Sequence, residues 1–173
     1  MPRLTNLEPM GTGEPARDPS ASFRDPAGKL FMTDGRVFRA VSPQGLEDLA
    51  VFLCSRAGRR ALDTRQVTAT SEVPPEEARR LLDAQGLSPA TYTLFEHERI
   101  PFPSYPYEWP PEMFQAAGAM TLELALALLG EGIGLKDGTP YNVLFRGPEP
   151  VFVDLLSFER RDPLDPTWLP YAQ

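Results

Sequence analysis

Two periods of apolar and polar residues divide this chain into strands and helices. Between Leu30 and Val41, LFMTDGRVFRAV reads as two short β-rich runs, Leu30-Phe31-Met32 and Arg36 to Val41. They are joined by Thr33-Asp34-Gly35, and Asp-Gly between apolar runs is a strong hairpin signal, because both residues tolerate positive φ. Period two in the second run sends Val37, Arg39 and Val41 to one face, and Phe38 and Ala40 to the other. Ser42-Pro43 then opens a helix, with a capping side chain and a proline at its first position. Its apolar stripe is Leu46, Leu49, Val51, Phe52 and Leu53, and it is expected to stop near Gly58. Residues 59–72 are polar, without a clear period. A second helix follows Pro74-Pro75 and ends at Gly86, with Glu76 and Glu77 in the first turn, where the helix dipole favours them. Tyr92, Leu94 and Phe95 mark another strand.

The segment 101–111, PFPSYPYEWPP, holds five prolines and four aromatics. It reads as a rigid connector whose aromatics pack on the core. It runs into the longest apolar stretch, Pro111 to Gly130, where leucines at 122, 124, 126, 128 and 129 predict a helix buried on every side. Gly130, Gly132 and Gly134 end that helix. A loop, a strand Val143–Phe145, a turn over residues 146–150 and a return strand Val151–Val153 then deliver Asp154. Residues 1–20 are rich in proline, glycine and charge and read as a disordered tail. That leaves 21–173 as one module, expected to continue past Gln173 into a helix.

Composition narrows the choice of partners. The chain has 173 residues and a net charge of -7, and its arginines are scattered singly and in pairs. A broad nucleic-acid surface and an anionic membrane are therefore poor partners. No stretch approaches 18 consecutive apolar residues and no leader is visible, so a cytoplasmic protein is expected. One cysteine and one histidine can form neither an internal disulfide nor a zinc site. Cys54, beside Val51-Phe52-Leu53, is expected to be buried. His97, between Glu96 and Glu98, is expected at the surface, with its proton affinity raised where it lies close to those acids.

Candidate chemistry gathers between Leu135 and Asp154, in LKDGTPYNVLFRGPEPVFVD. Strands of equal length bring the residues that flank them, Asn142 and Asp154, to one hairpin mouth, and Asp137 precedes them on the loop. Three oxygen-bearing side chains so placed suit a hard cation. Asn142 follows Asp137 by five residues, and Asp154 follows Asn142 by twelve. This spacing, after a buried helix, resembles the catalytic segment of the protein-kinase and aminoglycoside-phosphotransferase superfamily. The resemblance implies an α+β, truncated kinase-like architecture: a small N-terminal β/α part, a buried central helix, a catalytic loop and a β-hairpin. It implies that Asp137 orients or deprotonates an acceptor hydroxyl and that Lys136 steadies the transferred phosphoryl group. Asn142 and Asp154 would hold Mg²⁺ against the phosphates of ATP. Arg39 stands where that family carries its nucleotide lysine, with Glu47 or Asp48 on the next helix as its partner. Four features depart from the family pattern: Leu135-Lys136 precedes Asp137, Asp154-Leu155-Leu156 lacks a glycine, no glycine-rich phosphate loop lies upstream, and Arg39 replaces the lysine, whose shape and reach differ. A degenerate, binding-only module therefore stays open beside a phosphotransferase.

The run from Ile100 to Leu129, with GLKDGTPYNVLFRGPEPVFVDLLSFE after it, is also similar to the N-terminal region of bacterial class I S-adenosylmethionine-dependent methyltransferase family proteins. That similarity covers roughly residues 23–173. It implies a front module whose methyl-transfer domain, with its S-adenosylmethionine loop, belongs to a separate C-terminal part. A third reading is a non-catalytic scaffold or substrate-recruiting domain that uses residues 101–111 to hold a partner. The partners so implied are a nucleotide and a protein or small-molecule acceptor.

Overall fold

Alternation in the first apolar runs becomes a hairpin. The computed structural model describes residues 27–161, so the tail expected at 1–20 and the helix expected past Gln173 lie outside the described residues. Strands β1 (Gly28–Thr33) and β2 (Arg36–Val41) pair antiparallel, with Thr33 opposite Arg36. Asp34 and Gly35 turn between them at φ 51° and 74°, the left-handed pair that a two-residue hairpin loop requires. With β3 (Thr70–Glu72) and β4 (Thr93–His97) they form an antiparallel sheet in the order β1-β2-β4-β3. Helix α3 (Pro75–Ala84) covers one face, where Phe38, Ala40, Val73, Ala78, Leu82 and Leu94 make a small core. The opposite phase of the same strands carries Arg39, Val41, Phe95 and His97, and that face meets the rest of the molecule.

Helix α1 (Pro43–Cys54) is capped as expected, with Gly45 N donating to Ser42 Oγ. It stops at Cys54, earlier than the sequence suggests, and Gly58 lies inside a separate helix, α2 (Arg56–Asp63). Ser55 makes the corner: its hydroxyl donates to Phe52 O at 2.7 Å and accepts from Gly58 N at 2.8 Å. A side chain at Gly58 would place its Cβ 2.1 Å from Phe52 O, so only glycine fits this corner. Cys54 is exposed, against expectation, because the buried face of α1 is set by Gly45, Leu49 and Phe52. Glu131 caps α2 from outside, accepting from Arg56 N and Ala57 N at 2.9 Å each. Those two donors hold its carboxyl below the usual range.

Helix α4 (Pro111–Leu129) buries Ala117, Met120, Leu124 and Leu128 against α2, β5 (Ile133–Leu135) and β7 (Glu149–Phe152). It is not buried all round. Leu122 and Leu126 are 66% and 69% exposed, since the described residues pack on one side of the helix only. By length and composition alone α4 could cross a bilayer, at a mean hydropathy of 1.3, but the same segment supplies one wall of the core.

Two short ladders complete the fold. β5 pairs antiparallel with β8 (Phe158–Arg160), and β6 (Val143–Arg146) pairs with β7 as a hairpin. Phe158 stacks flat on Phe52 at 3.9 Å and packs on Phe152 at 5.4 Å, which joins β8 to α1 and to the hairpin. The unassigned segment around Val67 lies along β7, with Phe152 N donating to Gln66 O and Thr68 N to Phe152 O. Of the aromatic-proline segment, Trp109 packs edge-on to Phe114 and Phe145 as expected. Phe102 and Tyr107 instead stand 87% and 75% exposed, because the prolines turn them away from the core.

Candidate functional site

Backbone pairing builds the polar centre. β5 and β8 hold the two ends of the segment together, and Lys136 N donates to Ser157 O at 2.7 Å. The loop then turns on Asp137, whose Oδ1 accepts from Thr139 N at 2.9 Å. Asn142 Nδ2 donates to Asp137 O at 3.1 Å and to Ser157 Oγ at 3.3 Å. Both amide hydrogens are thus used, and the carbonyl oxygen is what Asn142 still offers. The hairpin register places Asn142 O as acceptor for Val153 N, one residue before Asp154. Ser157 Oγ donates to Asp154 Oδ2 at 2.6 Å, a charge-assisted bond that fixes the carboxylate. Asn142, Ser157 and Asp154 therefore form one continuous relay, with the Asp137 carboxylate exposed beside it.

The sheet contributes a cation. Arg39 Nη1 lies 2.8 Å from Asp154 Oδ1, and the arginine side chain is only 12% exposed. The contact lacks hydrogen-bond alignment, since Asp154 Oδ1 and Arg39 Nε both remain without hydrogen-bond partners among the described residues. The expected partners on α1 are not used. Glu47 is exposed, and Asp48 is taken by Lys136, whose Nζ sits 2.6 Å from Asp48 Oδ2 and 4.0 Å from Glu159 Oε2. Adjacent residues on a helix stand about 100° apart, so Asp48 meets Lys136 of the loop while Glu47 stands exposed. Lys136 is thereby bound to α1.

His97 joins this centre instead of the surface. Neighbours along a strand point to opposite faces, so Glu96 and Glu98 lie away from the ring. Arg36 takes Glu96 bidentately at 2.7 and 2.6 Å, and lowers its pKa. Arg146 takes Glu98 at 2.9 and 2.7 Å, which ties the hairpin to the sheet. His97 is 6% exposed, faces the Arg39 side of the sheet and sits opposite Thr70. Burial, then the charge of Arg39, push its pKa down to about 3, with Asp154 pulling the other way. Its tautomer follows from the neighbouring hydroxyl. Thr70 Oγ1 gives its single hydrogen to Thr68 O at 3.1 Å, so it accepts from His97 Nδ1 at 2.8 Å. Nε2 is left as a buried lone pair without a partner among the described residues.

Asp137, Asn142 and Asp154 are thus brought together, Arg39 joins them, Lys136 is turned aside and Glu47 is absent. Ser157 was not picked out in the sequence, and His97 was read there as a surface residue, not as part of the site. Ser157 had a signal, a hydroxyl three residues after an aspartate, within reach of one 3-10 turn. His97 had one too, in phase with Phe95 along β4. Among the described residues no three His, Cys, Asp or Glu side chains gather around a metal position. The hard donors are one carboxylate, Asp154, and one amide, Asn142, a set that would hold Mg²⁺ only with waters and substrate phosphates as its other ligands. An open groove of about 550 Å³, lined by Gln66, Met120, Glu123, Arg146 and Glu149, lies at the turn end of the hairpin, away from these residues.

Comparison with known proteins adds one relative. The chain is 31% identical over 148 residues to the Nodulation protein NoeA of Rhizobium meliloti (strain 1021), a match that covers 81% of this chain and 28% of that protein. The chain spans under a third of that relative's length. No family model matches the sequence, and no solved structure matches it.

Proposed function

We propose that this chain is a kinase-like Mg²⁺–nucleotide-binding module, degenerate in its catalytic residues, that forms the front part of a methyltransferase-family protein. The observation that carries the reading is the Arg39–Asp154 contact at 2.8 Å. It brings the nearly buried cation of the antiparallel sheet to the carboxylate that follows the hairpin, across the line where a nucleotide would lie. The order of elements supports it: apolar α4, then β5, a loop with Asp137 and Asn142, the β6–β7 hairpin, Asp154, and β8 returning to pair with β5. In this reading Asp154 and the Asn142 carbonyl hold Mg²⁺, and Arg39 receives phosphate oxygens. Mg²⁺ would neutralise phosphate charge. Asp137 would accept a proton from an acceptor hydroxyl. Lys136 is tied to Asp48 on α1, and this favours binding over transfer.

The test is thermal unfolding with Mg-ATP, Mg²⁺ alone and S-adenosylmethionine. At ten times Kd a ligand stabilises by about 1.4 kcal/mol, which corresponds to a Tm rise of roughly 3–6 °C for a domain of this size. Mg-ATP should give that rise, Asp154→Ala should abolish it, and S-adenosylmethionine should give none, because methyl transfer belongs to a separate domain. No rise at millimolar Mg-ATP would sink the reading.

Exposed apolar surface favours one second reading, a recruiting module. Phe102 and Tyr107 stand in solvent, and so do Leu122 and Leu126 of α4. Trp109 is a core residue, so the substitutions that test this reading are Phe102→Ser and Tyr107→Ser. They should remove partner capture without changing Tm.

A further inference from the structure

Arg39 is under-satisfied where it sits. Its side chain is nearly buried, its Nε has no partner among the described residues, and its contact with Asp154 is close but misaligned for a hydrogen bond. A guanidinium presents five donors in a rigid fork that matches phosphate oxygens, and a single misaligned carboxylate leaves most of that fork unused. Asp154 is held more firmly on its other side, where Ser157 Oγ donates to Oδ2 at 2.6 Å and leaves Oδ1 to the arginine. That oxygen is also the one Asp154 has left for a cation. The second hard donor, Asn142, is neutral, and Lys136 already sits between Asp48 and Glu159. A divalent cation arriving alone would thus meet one carboxylate oxygen with a permanent positive charge beside it.

Resting on the nucleotide-binding reading, we propose that Arg39 is a placeholder that keeps free divalent metal off Asp154 and leaves it only when nucleotide phosphates draw the guanidinium away. The site then takes the metal–nucleotide complex and refuses the metal by itself. His97 helps such a movement: its Nε2 is an unpartnered acceptor on the same sheet face, diagonally across from Arg39 in the β2–β4 ladder.

The experiment uses Mn²⁺ as the probe, read without ATP by its free-ion electron paramagnetic resonance signal and with ATP by the rise in water-proton relaxation over Mn-ATP alone, for the full chain, Arg39→Met, Arg39→Gln and Asp154→Asn. Without nucleotide, the native chain should bind Mn²⁺ at least tenfold more weakly than the Arg39 variants. With ATP present, the native chain should bind Mn²⁺, and Asp154→Asn should not. Circular dichroism shows which variants fold. The native chain supplies a test that needs no variant: Mn²⁺ bound as tightly without ATP as with it overturns the placeholder role. Equal or weaker Mn²⁺ affinity in a folded Arg39 variant also overturns it, and in both cases nucleotide-dependent binding can survive. Failure of every protein to bind Mn²⁺ with ATP removes the nucleotide site itself and the inference with it.

Discussion

A charge on the His97 ring would be buried beside the Arg39 guanidinium, and the ring therefore stays neutral down to about pH 3. The sign of the consequence is fixed. Below an unfolded pKa of 6.5 the unfolded chain binds a proton that the folded chain refuses until about 3, so acid favours unfolding within that window. Stability from this residue is fully present above 6.5 and is lost as pH falls toward 3. Urea unfolding between pH 4 and 6 should show the native chain losing about 1.4 kcal/mol per pH unit more than His97→Gln. Identical pH profiles would contradict the assignment. The sequence showed a histidine between two glutamates and suggested a surface site with raised proton affinity. Strand alternation sends those acids to the other face, where Arg36 and Arg146 claim them, and which arginine crosses to which acid is not a local property.

Among the elements, the α1–α2 corner and strand β8 carry the most consequence. Gly58→Ala drives a Cβ into the Phe52 carbonyl and should destabilise by about 1–3 kcal/mol, measured by urea unfolding, with the Ser55 double cap lost as the corner opens. Phe158→Ala removes a fully buried ring stacked between Phe52 and Phe152. It should cost about 3–5 kcal/mol, and it should release Ser157 and with it the Asp154 carboxylate. Hairpins and capped helices were legible here because Asp34-Gly35, Ser42-Pro43 and Gly86 act within a few residues of themselves. Helix α2 was not legible, since it buries only Gly58 and Ala61 and takes part of its N-terminal capping from Glu131, far along the chain. The full burial expected of α4 failed for a related reason: leucine content reports affinity for apolar surface, and the described residues supply that surface on one side.

Across the whole molecule, the sheet and the hairpin meet at one polar seam, closed by Arg39–Asp154 inside and Arg146–Glu98 outside. Asp137, Asn142 and Asp154 were visible in the sequence because a loop and a hairpin are local, and their spacing fixes their geometry. Arg39 was singled out by the kinase-like resemblance, with its partner expected on α1; the pairing with Asp154 spans 115 residues and depends on how β2 faces the hairpin, so it was not legible. The central claim is that this seam binds nucleotide through metal. Calorimetric titration of Mg-ATP into the native chain and into Asp154→Ala measures it directly. The account predicts saturable binding near one site per chain, dependent on Mg²⁺ and absent in the variant. No heat of binding at millimolar Mg-ATP, or equal binding by Asp154→Ala, would contradict it.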